Sequence, residues 1–310
     1  MVNDTLYLLG RGTNGVELYR WNSKQRQWSD NLGTCGRFKD PEKGKFGWDS
    51  PQYYSTIQTA VVDDTLFLLG RGAGGMELYR WNSEQRQWSD NLGTCGRFRD
   101  PEKGKIGWNS PQYYSTIQTA VVDDTLFLLG RGAGGMELYR WNSEQEQWSG
   151  NLGTCEKFSD AKGWGNPDNP GEKHEFYSTI QTAMIGETLY LLGRGVGGVK
   201  LFKWAGSDWS YLDVTNGFSD SGGWGKGKPE HYSTIQTEVV NDTLYLLGRG
   251  AEAVYLYRFN QKNEEWKHIS KYPHFTNDKD LGIHPSVYST IQTITHNGKL
   301  TLLGRTPAST

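Results

Sequence analysis

YSTIQTAVVDDTLFLLGRGAGGMELYRWNSEQRQWS, residues 54–89, is the stretch on which the fold turns. It divides into four short segments, 54–62, 65–71, 76–81 and 87–89, rich in Leu, Tyr, Trp, Ile and Thr. Such residues fit a pleated, half-buried surface. Asp63-Asp64 is a tight link, Gly72-Ala73-Gly74-Gly75 supplies positive φ values, and residues 82–86 form a longer polar turn. Three hairpins in succession make one four-stranded antiparallel sheet. Helical repeats are excluded, because Gly, Asn or Asp breaks every apolar run before a 3.6-residue periodicity can build.

The unit recurs. Gly-Arg appears at Gly10-Arg11, Gly70-Arg71, Gly130-Arg131, Gly193-Arg194, Gly248-Arg249 and Gly304-Arg305, at intervals of 60, 60, 63, 55 and 56 residues. Tyr-Ser-Thr-Ile-Gln-Thr begins at Tyr54, Tyr114, Tyr177, Tyr232 and Tyr288. Between the sheets, a connection such as residues 90–112 is long enough to cross from the outer edge of one sheet to the inner strand of the next. This wiring predicts an all-β chain, a closed β-propeller of four-stranded antiparallel blades, with a solenoid as the weaker alternative.

The chain opens on a second-strand sequence, 5–11, and closes on a first strand, 288–293, followed by 300–305. The ends are therefore expected to share a blade and close the ring without raw edges. The repeats run at about 53–112, 113–176, 177–231, 232–287, and 288–310 joined with 1–52, as one domain over 1–310. Five blades follow from this count. The second strand is supplied twice, so six remain the alternative.

Charge and composition narrow the partners. With 33 basic and 35 acidic residues spread along 310 positions, the net charge is −2, and no electrostatic footprint for nucleic acid is visible. No apolar run approaches about 18 residues, and the N-terminus lacks a basic region followed by an apolar one. The expectation is a soluble protein, cytoplasmic or exported without a classical signal, with no membrane insertion and with oligomerisation left open. Cys35, Cys95 and Cys155 hold the same place in three successive repeats, too far apart for a disulfide. They are expected to be free thiols.

The near-identical repeat resembles the β-propeller lectins of the tachylectin-2 and tectonin kind. It is also similar to the FG-GAP repeat of integrin-like propellers, through a Tyr-Ser-Thr-Ile-Gln-Thr strand followed by Leu-Leu-Gly-Arg-Gly. The resemblance covers the whole chain by pattern and implies near-identical sugar sites on near-identical blades. The FG-GAP calcium loop is missing: the matching hairpins read Val62-Asp63-Asp64-Thr65 and Val240-Asn241-Asp242-Thr243, with too few carboxylates for calcium. No metal and no other cofactor are expected.

The crossing loops repeat Phe-x-Asp and then Gly-Trp. They place Phe38, Asp40 and Trp48; Phe98, Asp100 and Trp108; Phe158, Asp160 and Trp164; and Phe218, Asp220 and Trp224, whereas the fifth copy has Phe275 and Asp278 without the Trp. An indole face packs on the C–H face of a pyranose, while carboxylates and guanidinium groups take its hydroxyls. Candidate ligand contacts are these four loop Trp and four Asp residues, with Arg11, Arg71, Arg131, Arg194 and Arg249. Each has a structural alternative: the Trp as a plug between blades, the Arg as a staple. The repeated Phe reads as core. Trp28, Trp88, Trp148, Trp209 and Trp266, with Trp21, Trp81, Trp141 and Trp204, read as packing between blades.

No catalytic constellation is present. His174, His231, His268, His274, His284 and His296 sit in no Ser/His/Asp, His-Glu-x-x-His or Cys/His pattern, and no phosphate-cradling loop leads into a helix. The expected function is multivalent binding of glycans, in which weak equal sites gain avidity. A protein-interaction scaffold is the first alternative, and an enzyme with one site at a channel mouth is the second. Lys200 and Tyr255, standing where earlier copies have Glu17, Glu77 and Glu137, predict unequal sites.

Overall fold

Asp63 and Asp64 have φ of 44° and 55°, Asp123 and Asp124 45° and 52°, Asn241 and Asp242 49° and 56°. A two-residue turn with both residues left-handed matches the twist of the strands it joins, and Asp and Asn bear that conformation better than other side chains. In the computed structural model these turns close the first hairpin of their sheets. The structure describes residues 5–12, 14–38, 56–72, 74–98, 116–132, 134–159, 180–195, 198–204, 206–212, 235–249, 254–272, 292–296 and 299–303.

The first sheet holds β1 (Tyr7–Gly12), β2 (Gly15–Asn22), β3 (Gln27–Trp28) and β4 (Gly33–Cys35). The second holds β5 (Gln58–Val62), β6 (Thr65–Gly72), β7 (Gly75–Asn82), β8 (Gln87–Trp88) and β9 (Gly93–Cys95), and the third β10 (Gln118–Val122), β11 (Thr125–Gly132), β12 (Gly135–Asn142), β13 (Gln147–Trp148) and β14 (Gly153–Cys155). A fourth is built from β15 (Gln181–Ile185), β16 (Thr188–Gly195), β17 (Gly198–Trp204) and β18 (Trp209–Leu212), and a fifth from β19 (Gln236–Val240), β20 (Thr243–Arg249), β21 (Val254–Asn260) and β22 (Glu265–Tyr272). The hairpin of β23 (Gln292–His296) and β24 (Lys299–Leu303) ends the chain.

Among the described residues the ladders are antiparallel, and consecutive strands form meanders as expected, in register such as Phe67↔Arg80 through Gly72↔Gly75. The chain is an all-β propeller of five blades; among the described residues four sheets are complete four-stranded meanders, β1–β3 form a partial one and β23–β24 a separate hairpin. Helix is confined, among the described residues, to short 3-10 turns such as Gly36–Phe38, Gly96–Phe98 and Glu156–Phe158. None is long and apolar enough to cross a membrane.

The short last strand of the early sheets, β4, β9 or β14, departs from the expected meander. It falls where a plain crossing loop was read. The side chain of Asn91 explains it: its Oδ1 accepts from the backbone N–H of Gly93 at 3.1 Å and of Leu78 at 3.3 Å, and its Nδ2 donates to Thr94 Oγ1 at 2.8 Å. These bonds turn the chain back, so β7 pairs with β8 at Trp81 and Asn82 and with β9 at Met76 to Leu78.

Contacts cluster into two compact units, Met1–Gly130 with Leu138–Leu152, and Arg131–Glu137 with Gly153–Thr310. Inside the first, Leu18 of the first sheet packs with Leu66 and Trp81 of the second, and Val16, Cys35 and Phe38 pack with Leu68 and Tyr79. In the second, Leu192, Val199 and Leu201 meet Leu244, Leu246 and Phe259. The core therefore lies between consecutive sheets. Their first strands also run side by side, with Thr119 Oγ1 donating to Thr59 O at 3.1 Å and Thr237 Oγ1 to Thr182 O at 3.0 Å.

Candidate functional site: a repeated groove between consecutive sheets

Each early repeat reaches into the next one. After β4, the turn Gly36–Phe38 buries Phe38 completely, and its ring meets Tyr79 edge-on at 5.3 Å. Phe98 meets Tyr139 in the same way at 5.4 Å. The expectation that the repeated Phe is core is met at Phe38, Phe98 and Phe158, all fully buried; Phe218 and Phe275 lie outside the described residues. Beside Phe38, the guanidinium of Arg37 donates twice to Glu77, Nε at 2.9 Å and Nη2 at 2.7 Å, and the Tyr79 hydroxyl donates to the same carboxylate at 2.6 Å.

Glu77 is 6% exposed and Arg37 61%, so the pair joins a buried acid to a solvated base. Burial alone would raise the carboxyl of Glu77, but the bonds from Arg37 and Tyr79 outweigh it and hold the group below its ordinary value. Burial, followed by the bond to Glu77, pushes the Tyr79 phenol well above its usual range. Cys35 behind this clip is buried, and burial pushes its thiol up to about 12. It is a packed sulfur, not a nucleophile.

A cavity of about 450 Å³ opens beside the clip, lined among others by Arg37, Tyr79, Arg86, Trp88, Asp90 and Asn91. Sixty residues on, a second cavity of about 240 Å³ is lined by the matching Arg97, Tyr139, Glu146, Trp148 and Ser149. The groove is thus a repeated feature of the junction between sheets. In each, an indole forms part of the wall. Trp88 faces Trp81 directly across β7 and β8, at 5.3 Å between rings, and Trp148 faces Trp141 at the same separation. The indole nitrogens of Trp88 and Trp148 are buried and meet no hydrogen-bond acceptor among the described residues. Both rings are half-buried, so what they show to solvent is carbon.

The outer-strand and third-strand Trp residues separate in role. Trp81 packs between sheets, against Gly33, where a Cβ would stand 2.6 Å from its ring; Trp141 and Trp204 do the same at Gly93 and Gly153. Trp28, Trp88, Trp148 and Trp209 pair inside their own sheet with the third-strand Trp, and Trp266 pairs with Phe259. Trp28 is 38% exposed. Beyond packing, Trp28, Trp88 and Trp148 each border a groove, which packing alone does not predict.

The Gly-Arg arginines fall at one register position: Arg11↔Val16, Arg71↔Met76, Arg194↔Val199 and Arg249↔Val254. Arg71 and Arg131 are fully buried. The Nε of Arg71 donates to Phe98 O at 2.7 Å, and that of Arg131 to Phe158 O at 2.5 Å. These bonds satisfy the carbonyl that ends each 3-10 turn and tie it to the second strand. Among the described residues the staple runs to a backbone oxygen. Trp48, Trp108, Trp164 and Trp224, with Asp40, Asp100, Asp160 and Asp220, lie outside the described residues.

In the other unit, a cavity of about 470 Å³ is lined by Tyr190, Lys203, Asp242, Phe259 and Glu264 among others. It lies at the turn end of the fourth and fifth sheets. Of the six histidines, His268 is described in contacts, its ring 5.9 Å and 5.3 Å from those of Tyr255 and Tyr257. Among the described residues no three of His, Cys, Asp and Glu gather closely enough to hold a metal ion.

No family model and no curated protein matches the chain. Among solved structures it is similar to the β-propeller domain of the Trilobed protease from Pyrococcus furiosus, at 11% identity and a TM-score of 0.43, over 87% of this chain and 66% of that one. It is similar to TolB from Acinetobacter baumannii at 10% and 0.45, over 87% and 52%, and to the polysaccharide lyase Uly1 at 11% and 0.47, over 98% and 85%. The chain spans between half and two thirds of the length of the first two. At identities this low, no activity passes from them to this chain.

Proposed function

We propose that the chain is a multivalent carbohydrate-binding protein, a lectin of the tachylectin-2 and tectonin kind, whose sites are the grooves between consecutive sheets. The observation that carries this reading is the recurrence of one groove at a 60-residue offset, with Trp88 and Trp148 as its aromatic walls and Arg37 and Arg97 at its rim. The exposed carbon of an indole suits the C–H face of a pyranose, and the flanking Asp90, Asn91, Ser149 and Glu146 suit its hydroxyls. Repeated small sites favour a repeated ligand over a single protein partner or a single catalytic centre, because equal weak sites multiply avidity. No step of binding in this reading needs a metal.

A glycan-array screen, run with and without EDTA, tests it. The expected result is binding that survives EDTA and falls in the double variant Trp88→Leu/Trp148→Leu. The variant Trp108→Ala separates the groove from the crossing loop: loss there, with the groove variant unchanged, moves the site to the loops. Failure of every saccharide to bind overturns the reading and turns attention to a protein partner.

A further inference from the structure

The groove beside Trp88 has a neighbour. A cavity of about 360 Å³ is lined by Arg20, Gln27, Trp28, Ser29 and Asp30 of the first sheet together with Arg86. Arg86 also lines the groove of Trp88 and Asp90. Arg86 therefore lines two pockets, each walled by an indole. Its backbone is held at φ 52° in the turn between β7 and β8, where Asn82 Oδ1 accepts from Gln85 N–H at 2.9 Å. That turn sits against Gly33, whose Cβ would lie 3.1 Å from Arg86 O. The side chain is exposed and, among the described residues, has neither ion pair nor hydrogen bond, whereas Arg37 nearby is spent on Glu77.

The matching place in the next repeat reverses this charge. Glu146 stands for Arg86, with φ 47° in the same turn, and Gly150 stands for Asp90. The walls are kept while the reading group changes sign. Such a change at a fixed position alters what a groove selects more than how it folds.

We propose that the two pockets flanking Arg86 form one extended subsite for an acidic oligosaccharide. Sugar rings lie on Trp28 and Trp88, and a carboxylate or sulfate is taken by Arg86 between them, while the groove of Glu146 rejects such a ligand. This rests on the carbohydrate reading above. A guanidinium takes either anion through paired charge-assisted hydrogen bonds, and Asp30 and Asp90 remain to accept from hydroxyls.

Calorimetric titration of the whole chain with uronate-containing tetrasaccharides, their carboxyl-reduced neutral counterparts, a sulfated tetrasaccharide and inorganic sulfate tests it. The expected result is binding of the acidic sugars about tenfold tighter than the neutral ones. Arg86→Glu, which installs the side chain the next repeat already carries in that turn, should abolish the preference, and Glu146→Arg should add a second acidic site. Equal binding of neutral and acidic sugars, or a preference that survives Arg86→Glu, overturns the inference and leaves the carbohydrate reading standing. Binding of inorganic sulfate as tight as that of the sugars also overturns it. No binding of any saccharide overturns both.

Discussion

The junction after β4 and the junction after β14 occupy the same place in the repeat and are held in different ways. At the first, Arg37 of one repeat clips Glu77 and Tyr79 of the next. At the later one, Lys157, Lys200 and Phe202 stand at the matching positions, with Lys200 opposite Gly193 as Glu77 is opposite Gly70. The clip is absent in kind, yet the packing stays: Trp204 lies on Gly153 as Trp81 lies on Gly33, and Phe158 meets Phe202 at 5.0 Å. Apolar contact and the closeness allowed by glycine thus build the junction, and the ion pair is an addition that two lysines can replace without loss of the fold.

The largest expected effect tests what the junctions share. Gly15 and Gly135 have φ of 130° and 126°, and a Cβ on either would stand 2.2 Å or 2.4 Å from the carbonyl oxygen of Cys35 or Cys155. Backbone cannot yield as a side chain can. Gly15→Ala and Gly135→Ala should each cost more than about 3 kcal/mol in urea unfolding. Unequal costs would show that the junctions differ below the clip as well. Gly74→Ala, with nothing within 4 Å, is the neutral control.

Next in size is the clip itself. Arg37→Ala leaves the Glu77 carboxylate buried with the Tyr79 hydroxyl as its remaining partner, at a cost of about 2 kcal/mol. Lys157→Ala should stay within about 0.5 kcal/mol. If the two cost the same, the ion pair adds nothing and the comparison collapses.

Acid sharpens the same contrast. The Glu77 carboxyl is held below its ordinary value of 4.5 in the folded chain, so the folded state takes up that proton less readily than the unfolded one. Its contribution is complete above the unfolded value and is lost as pH falls through the lower folded value. The stability gap between the parent chain and Glu77→Gln should therefore narrow from pH 7 to pH 3. A gap that widens would reverse the sign of the argument. Smallest of all, Lys200→Glu offers Lys157 a carboxylate partner at a solvated rim, for a gain of at most about 0.5 kcal/mol in thermal unfolding.

Much of the fold was open to a reader of the chain alone. Alternation, repeat length and the Asp63-Asp64 turn specify strands, their order and their register, because each is a local property. The strand at Gly93–Cys95 escaped because three residues carry no periodicity and its partner is β7, not the strand before it. The groove escaped for a related reason: Arg37 and Glu77 are 40 residues apart and meet only when one sheet is laid on the next. A signal was present in the chain, since Arg37 and Arg97 run in step with Glu77 and Glu137 and disappear with them at Lys157 and Lys200. The Gly-Arg motif is visible in the chain at the end of each second strand. Its full burial at Arg71 and Arg131 depends on the turn that covers it, which sequence does not display.

Cys35, Cys95 and Cys155 are 3%, 3% and 2% exposed, each at the end of a strand that closes one junction. Their equivalence makes the chain its own set of clocks. A thiol reagent can reach each sulfur only when that junction opens, so pulse labelling followed by peptide mapping times three openings separately within one molecule. The order in which the sulfurs are captured would rank the junctions by kinetic durability without any foreign probe.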